Sequence, residues 1–216
     1  VAELALAQIA VFEVGAIQPR AHEVAFGEDD VAQVAAGQVH RAQVDPAQLG
    51  LLAGFAFIER YLADQGVPIL GFCACELRSP APFDDAGFIA FNRHYCGTLE
   101  RWGIMKDDKN PVARSNVCPE IHKPAEPSFH AFCFSRPVAG DAGETFAISG
   151  SGEAEEGHAT YRERTVRWGD TSPDAMREKG IFVLNRMEQR MAAVGRTWAQ
   201  VTTTQVYTVY DLYPFL

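Results

Sequence analysis

The chain has 216 residues, 47% of them hydrophobic and 22% charged, which is typical of a soluble globular protein with one large or two smaller domains. Its net charge of −9 argues against a nucleic-acid partner, because such binding depends on Lys and Arg neutralising phosphates. No apolar run reaches the roughly 18 residues of a membrane span and no signal sequence is visible, so we expect a cytoplasmic protein without membrane contact.

The first half of the chain combines short strands with one long helix. The predicted strands are residues 4–14, 21–26, 33–40 and 69–77. A helix is predicted from Asp45 to about Gln65, because Asp is a good N-cap, Pro46 suits the first turn and Gly66 ends the pattern. Its apolar positions follow the helical spacing: Leu51, Leu52, Phe55, Ile58, Tyr61 and Leu62.

A second helix and a pair of strands follow. The helix covers residues 84–102, with one apolar stripe made of Phe88, Phe91, Tyr95 and Leu99. Strands at residues 113–118 and 129–135 flank a Pro-rich hairpin. Gly, Pro and acidic residues then cluster in residues 138–144, which predicts a linker between domains.

The last third of the chain predicts a second α+β unit. A strand at residues 145–149 is followed by a Gly-rich turn at 150–152 and by a strand near 165–168. The helix of residues 173–194 is predicted to bury a core stripe of Ile181, Leu184, Met187 and Met191. Residues 199–209 predict a strand, because β-branched residues are frequent and alternate along it.

One pattern occurs twice. Residues 55–70 and 184–201 each predict an apolar-faced helix, a Gly stop and an apolar strand, with Gly66 aligned on Gly195 at an offset of 129. We therefore expect a first module at residues 1–137, a linker at 138–144 and a second module at 145–216. The second copy stops after its aromatic turn, so further residues or another chain are expected to supply its last strands.

The cysteines predict buried free thiols in a reducing compartment. There are five: Cys73, Cys75, Cys96, Cys118 and Cys133. Metal ligation by Cys73 with Cys75, or by Cys118 with His122, is the alternative, but neither pair has the spacing of a structural zinc site. We expect neither a metal ion nor a cofactor.

Four segments together resemble a known family. Residues 146–153 (Phe-Ala-Ile-Ser-Gly-Ser-Gly-Glu) are similar to a hydrophobic strand that ends in Ser-Gly, and residues 204–211 (Thr-Gln-Val-Tyr-Thr-Val-Tyr-Asp) to a Thr-Val-Tyr-Leu-Thr-Asp segment. Residues 88–95 resemble a Phe-x-x-Phe-Asn-x-x-Tyr helix, and residues 110–117 a Pro-x-Ala-Arg-Ser strand. Over about residues 51–137 and 145–216 the chain resembles the Rid family of imine deaminases, also described as YjgF-like or L-PSP-like.

The resemblance implies an α+β fold of two chorismate-mutase-like modules, each a mixed sheet backed by helices, the second one incomplete. It also implies a homo-oligomer, a trimer-like ring of modules with ligand pockets in the clefts between them. The implied partner is a small carboxylate-bearing substrate. The implied reaction hydrolyses an imine or enamine carboxylate, 2-aminomuconate-like or an imino acid, to a keto acid and ammonia.

The resemblance also assigns candidate site residues. Arg114 corresponds to the arginine that holds the substrate carboxylate bidentately, and a surface or interface salt bridge is the alternative. Ser149 and Gly150 match the Ser-Gly turn that orients the substrate, and a tight strand exit would also require Gly. Asn116 and Asn92 are expected around the pocket, and a structural role explains Asn92 equally well.

Two departures from the family pattern leave two functions open. His130 stands at or beside the position of a water-positioning Glu, where it serves either as a base or as a core or interface residue. Arg114 belongs to the first module and Ser149 to the second, so a complete site requires the two to meet across a cleft. The candidates are an imine or enamine deaminase and a non-catalytic carboxylate-binding or assembly protein.

Overall fold

The computed structural model describes residues 8–12, 32–36, 38–44, 49–105, 109–136, 144–155 and 160–215. The strands are β1 (Gln8–Phe12), β2 (Ala32–Ala36), β3 (Gln38–Gln43), β4 (Leu49–Gly50), β5 (Phe72–Arg78), β6 (Ala113–Val117), β7 (Ser128–Arg136), β8 (Glu144–Ser151) and β9 (Thr203–Tyr207). The helices are α1 (Leu51–Asp64), α2 (Asp85–Arg101), α3 (Tyr161–Arg164) and α4 (Pro173–Ala193).

The described strands form two sheets. The first sheet has the order β3-β7-β5-β6, with β4 also paired to β7, and it is mixed because β5 and β6 run parallel. The second sheet has the order β2-β8-β1-β9 and its pairs are antiparallel. The predicted α+β class with a mixed sheet backed by helices is confirmed.

Helices α1 and α2 cover one face of the first sheet. The side chain of Asp84 accepts a hydrogen bond from the backbone N–H of Gly87 at 2.7 Å and so caps α2 where the sequence predicted it to begin. The core between these helices and the sheet includes Phe55, Ile58, Leu62, Phe72, Tyr95, Leu99, Phe129 and Phe132. Burying a side chain of this size contributes about 1.5–3 kcal/mol to the free energy of folding, so this core holds the two helices against the sheet.

Helix α4 covers the second sheet. Its N-terminus is capped by Ser172, and its apolar face packs on β8 in a cluster of Phe146, Ile148, Val183, Met187 and Met191. The apolar stripe of this helix therefore buries one face of β8.

The two sheets also contact each other. Between them lies a cluster of small side chains, which allows close approach: Val39, Cys73, Ala74, Ala113, Cys133 and Ala147. Beside it, Glu76 of β5 accepts a hydrogen bond from the Gln205 amide at 3.2 Å, and Arg78 donates to the Tyr207 hydroxyl at 3.1 Å. Each of these two pairs joins residues 129 positions apart, so equivalent positions of the sequence repeat meet across the interface.

Both copies of the repeated pattern have the same local structure. Helix α1 and helix α4 each end before a Gly with positive φ, 66° at Gly66 and 69° at Gly195, a conformation that residues with a Cβ rarely adopt. A 3₁₀ turn follows in each copy, at Ile69–Gly71 and at Trp198–Gln200, and then β5 or β9. The repeat is thus a helix, a Gly, a 3₁₀ turn and a strand.

Several predicted bounds in the first half were wrong. Helix α1 begins at Leu51 instead of Asp45, because β4 occupies Leu49–Gly50 and pairs with β7. The predicted strand at 33–40 is two strands, β2 and β3. Phe88, assigned to the buried stripe, is 39% exposed. The predicted strand at 21–26 and the start of the predicted helix lie outside the described residues.

Other corrections concern the second half. Residues 165–168 form a bridge and a turn after α3 instead of a strand. Strand β8 continues through Gly150 to Ser151, where a turn was expected, and begins at Glu144, within the predicted linker. Val183 replaces Ile181 in the core, since Ile181 is 41% exposed. Strands β1 and β2, which come from the opening region of the chain, pair with β8, and β1 also pairs with β9. Of the predicted linker at 138–144, residues 138–143 lie outside the described residues.

Candidate active site

Arg114 and Ser149 meet where the two sheets adjoin. Arg114 lies on β6, at the edge of the first sheet, and its backbone N–H donates a hydrogen bond to Ser149 Oγ on β8 at 3.2 Å. Ser149 is buried there. The structure therefore brings together the two residues that the sequence analysis placed in separate modules.

The guanidinium of Arg114 lies over two aromatic rings of α2. Its Cζ is 4.7 Å from the ring centroid of Tyr95 and 5.4 Å from that of Phe91. A partly buried cation in this position gains about 0.5–2 kcal/mol from the rings, which is less than the roughly 1.5–3 kcal/mol of a charged hydrogen bond. Its Nη1 is buried and has no hydrogen-bond partner in the described structure. The arginine is therefore held in place while part of its donor capacity stays unused.

The polar side chains next to Arg114 do not neutralise its charge. The Tyr95 hydroxyl and Cys75 Sγ lie 3.3 Å apart in a hydrogen bond. Burial raises the pKa of the Cys75 thiol to about 12 and the pKa of Tyr95 well above its ordinary value, although the charge of Arg114 acts against both shifts. Both groups are neutral at physiological pH, so within the described part of the chain neither of them neutralises the guanidinium that an anionic ligand would meet.

Strand β8 is irregular beside Arg114. In its pairing with β1, Ile9 lies opposite Ser151 and Val11 opposite Ile148, so that β8 has one extra residue around Ser149 and Gly150. Such a bulge redirects side chains and is frequent next to active sites. The carbonyl oxygens of Ser149 and Gly150 both accept hydrogen bonds from the Arg190 guanidinium of α4.

The two predicted asparagines have different surroundings. Asn92 follows Phe91 on α2, and its Oδ1 is a buried acceptor with no hydrogen-bond partner in the described structure. Asn116 is on β6, two residues after Arg114, and its Oδ1 accepts a hydrogen bond from the Ser79 hydroxyl at 2.9 Å. Asn92 therefore offers an unused acceptor, and Asn116 is already engaged.

His130 lies in a different environment from Arg114. Its neighbour Phe129 belongs to the core under α1 and α2, whereas His130 interacts with Arg78, Glu76 and Arg41. Burial, followed by the charge of Arg78, lowers the pKa of His130, with Glu76 acting in the opposite direction. Because neighbouring residues of a strand point to opposite faces, His130 belongs with the polar groups between the sheets.

Three residues of the candidate site, Phe91, Tyr95 and Arg190, were not assigned to it by the sequence analysis. Phe91 and Tyr95 were read as core residues, and only the structure shows Arg114 over their rings. Arg190 was not singled out, although an arginine three residues after the buried Met187 interrupts an apolar stripe. Among the described residues no cluster of three His, Cys, Asp or Glu side chains suits a metal ion, and no described helix has the length and apolarity to cross a membrane.

An α+β fold in which a buried Arg114 Nη1 has no hydrogen-bond partner among the described residues and lies beside a Ser-Gly bulge has the features expected of a Rid-like deaminase. The family described as 2-aminomuconate deaminase CnbZ matches residues 31–216, and the chain belongs to this family. The resemblance inferred from the motifs is thereby confirmed.

The 2-amino-5-chloromuconate deaminase of Comamonas testosteroni is a curated relative, 48% identical over 163 residues. The match covers 75% of this chain and 65% of the relative, so the chain spans slightly less than two thirds of that protein's length. No solved structure matches the chain significantly.

Proposed function

We propose that the protein catalyses the hydrolytic deamination of a 2-aminomuconate-like enamine carboxylate. The observation that carries the proposal is Arg114, whose guanidinium lies over Phe91 and Tyr95 and whose buried Nη1 has no hydrogen-bond partner in the described part of the chain. A carboxylate is the natural ligand of such a group, because paired N–H donors match its two oxygens. Membership of the 2-aminomuconate deaminase family and the name of the 48% identical relative support the reaction and the substrate class.

The reaction replaces a C=N bond with a C=O bond. The enamine takes a proton on carbon to give the imine, water adds to the imine carbon, and the carbinolamine loses ammonia to leave the 2-oxo acid. In this scheme Arg114 holds the carboxylate next to the imine carbon, and the buried Asn92 Oδ1 accepts a hydrogen bond from the substrate nitrogen or the attacking water. Ser149 and Gly150 orient the substrate from the opposite sheet.

A second candidate function is non-catalytic binding of a carboxylate metabolite. The position of His130 favours this second function. His130 lies among Arg41, Glu76 and Arg78, whereas Arg114 lies over Phe91 and Tyr95, so the candidate base has different neighbours from the candidate carboxylate site. If the protein is an enzyme, we expect His130→Ala to retain most activity and Asn92→Ala to lose it. A loss of keto-acid formation in His130→Ala with ligand binding intact would instead restore His130 as the catalytic base.

The test combines ammonia release with ligand binding. Ammonia is measured with 2-aminomuconate as substrate, and binding of muconate, which has no amino group, is measured by calorimetry. Arg114→Met should lower kcat/KM and muconate affinity by about 100-fold, the equivalent of about 2.7 kcal/mol for a charged hydrogen-bond pair. Arg93→Met, at an exposed position of helix α2, is the control and should change neither.

Each outcome of this test has a definite meaning. Muconate binding that depends on Arg114 without ammonia release would favour the binding protein. Normal activity in Arg114→Met would refute the carboxylate clamp and with it the proposal.

We also propose that the two sheets represent two Rid-like modules assembled as a trimer-like ring. The repeated helix, Gly, 3₁₀ turn and strand and the meeting of β6 with β8 support this arrangement. Light scattering of the purified protein would measure the oligomeric state. The free thiols at all five cysteine positions are compatible with the reducing cytoplasm that we propose as its location.

A further inference from the structure

The bulge in β8 frees backbone acceptors next to the candidate site. Between the Ile9–Ser151 and Val11–Ile148 pairs, one residue of β1 lies opposite two of β8, so the sheet ladder is interrupted at Ser149 and Gly150. Buried carbonyl groups that leave a ladder need another donor, because an unpaired one costs free energy comparable to a lost hydrogen bond.

Arg190 is that donor. Its side chain is 6% exposed, and its Nη1 donates to the Ser149 carbonyl at 2.9 Å and to the Gly150 carbonyl at 2.9 Å. It projects from the face of α4 that otherwise buries Met187 and Met191. A buried arginine in an apolar stripe carries a large desolvation cost, so its presence calls for a specific interaction.

The same segment contacts Arg114. Ser149 Oγ accepts the backbone N–H of Arg114 at 3.2 Å, while the Ser149 carbonyl is bound by Arg190. The contacts therefore form a chain that runs from α4 through the bulge to the strand that carries the carboxylate clamp.

We propose that Arg190 is a positioning residue for the deamination, which holds the Ser149–Gly150 bulge in the shape that faces Arg114. This inference rests on the proposed function. In this proposal Arg190 acts through the bulge and does not contact the substrate itself. Without the Arg190 donor the bulge loses the hydrogen bonds that fix its backbone conformation. Ser149 and Gly150 can then move relative to Arg114, and displacements of about 1 Å can cost about 100-fold in rate.

The test uses Arg190→Met, which keeps much of the side-chain volume without the donors, and Arg190→Lys, which keeps the charge and one donor group. Arg177→Met is the control, since Arg177 lies on the same helix at an exposed position. Hydrogen exchange is followed by mass spectrometry in peptides covering residues 145–151 and 112–117, with residues 88–99 of α2 as the internal reference. Steady-state kinetics with 2-aminomuconate is measured in parallel.

For Arg190→Met we expect hydrogen exchange to be about tenfold faster in the two site peptides and unchanged in the α2 peptide. We also expect kcat to fall at least about tenfold, while KM stays within about threefold of the wild-type value. Arg190→Lys should be intermediate in both readouts and Arg177→Met should behave as the wild type. If Arg190→Met does not fold, the lysine variant decides.

Unchanged exchange in the two site peptides would overturn the inference, as would a uniform increase along the chain, which is the signature of a merely structural role. Faster site exchange with normal kcat would overturn the positioning role. A wild type without deaminase activity would refute the proposed function alone, because the exchange measurement tests the bulge independently of turnover.

Discussion

Glu76→Gln is expected to destabilise the protein by weakening the contact between the two sheets. The Glu76 side chain is 1% exposed and accepts two hydrogen bonds from Arg41, Nε–Oε1 at 2.5 Å and Nη2–Oε2 at 3.0 Å. It also accepts one from the Gln205 amide, and Arg78 Nη2 is 3.6 Å away. Glutamine keeps the shape of the side chain but removes the charge.

The magnitude follows from these contacts. A hydrogen bond to a charged group contributes about 1.5–3 kcal/mol, and Arg41, at 42% exposure, can be solvated when its partner is neutral, which favours the low end for each of its two bonds. We therefore expect the free energy of unfolding to fall by about 3 kcal/mol, and Tm by about 6–12 °C for a chain of this size. Urea unfolding followed by circular dichroism measures the difference, and Glu100→Gln on the exposed side of α2 should cost less than about 0.5 kcal/mol.

The stability difference between the wild type and Glu76→Gln should depend on pH in a definite direction. Burial acts to raise the pKa of Glu76, but the hydrogen bonds and charge of Arg41, with Gln205 and Arg78, outweigh it and leave the pKa below its ordinary value. A lowered folded-state pKa contributes stability above the unfolded pKa of about 4.3 that is lost as the pH falls through the folded-state value. The gap between wild type and Glu76→Gln should therefore be full near neutral pH and shrink below about pH 4.3. A gap that is absent at neutral pH, or that widens in acid, would refute the reasoning.

The remaining predictions concern stability. Gly54→Ala should lower the free energy of unfolding by about 1–3 kcal/mol, because the added Cβ would lie 2.3 Å from Phe129 Cδ2. Gly97→Ala in α2 should raise it by about 0.5–1 kcal/mol, because its Cβ meets only the end of the flexible Arg101 side chain at 4.0 Å. Equal shifts in the two urea midpoints would contradict the packing argument. Ser172→Ala should cost about 0.5–1 kcal/mol by removing the acceptor for the Ala175 N–H at the start of α4. Ser172→Asp should preserve Tm, and a loss equal to that of Ala would argue against the cap.

Local features of the fold were predictable because they depend on neighbouring residues. Asp84 and Ser172 precede their helices as N-caps, and Gly66 and Gly195 end theirs, so the helix bounds at these points follow from short-range hydrogen bonds and backbone conformation. The start of α1 was not predictable, because β4 forms only through pairing with β7 almost 80 residues away in sequence.

For the candidate site, the sequence by itself determined the residue types and their motifs. The Pro-x-Ala-Arg-Ser segment identified Arg114 and the strand ending in Ser-Gly identified Ser149, since both patterns are read along a single stretch of chain. Periodicity also placed Phe91 and Tyr95 on the apolar face of α2.

Only the tertiary structure decided which of these residues meet. The Arg114–Ser149 hydrogen bond, the Arg190 contacts with the bulge and the place of His130 beside Glu76 all join residues distant in sequence. A periodic pattern reports which face of an element is apolar, but not which other element covers that face. For this protein the sequence determined the groups that are proposed to bind a carboxylate. The packing of the two sheets decided that Arg114 adjoins the Ser149 bulge, while His130 lies in the polar cluster between the sheets.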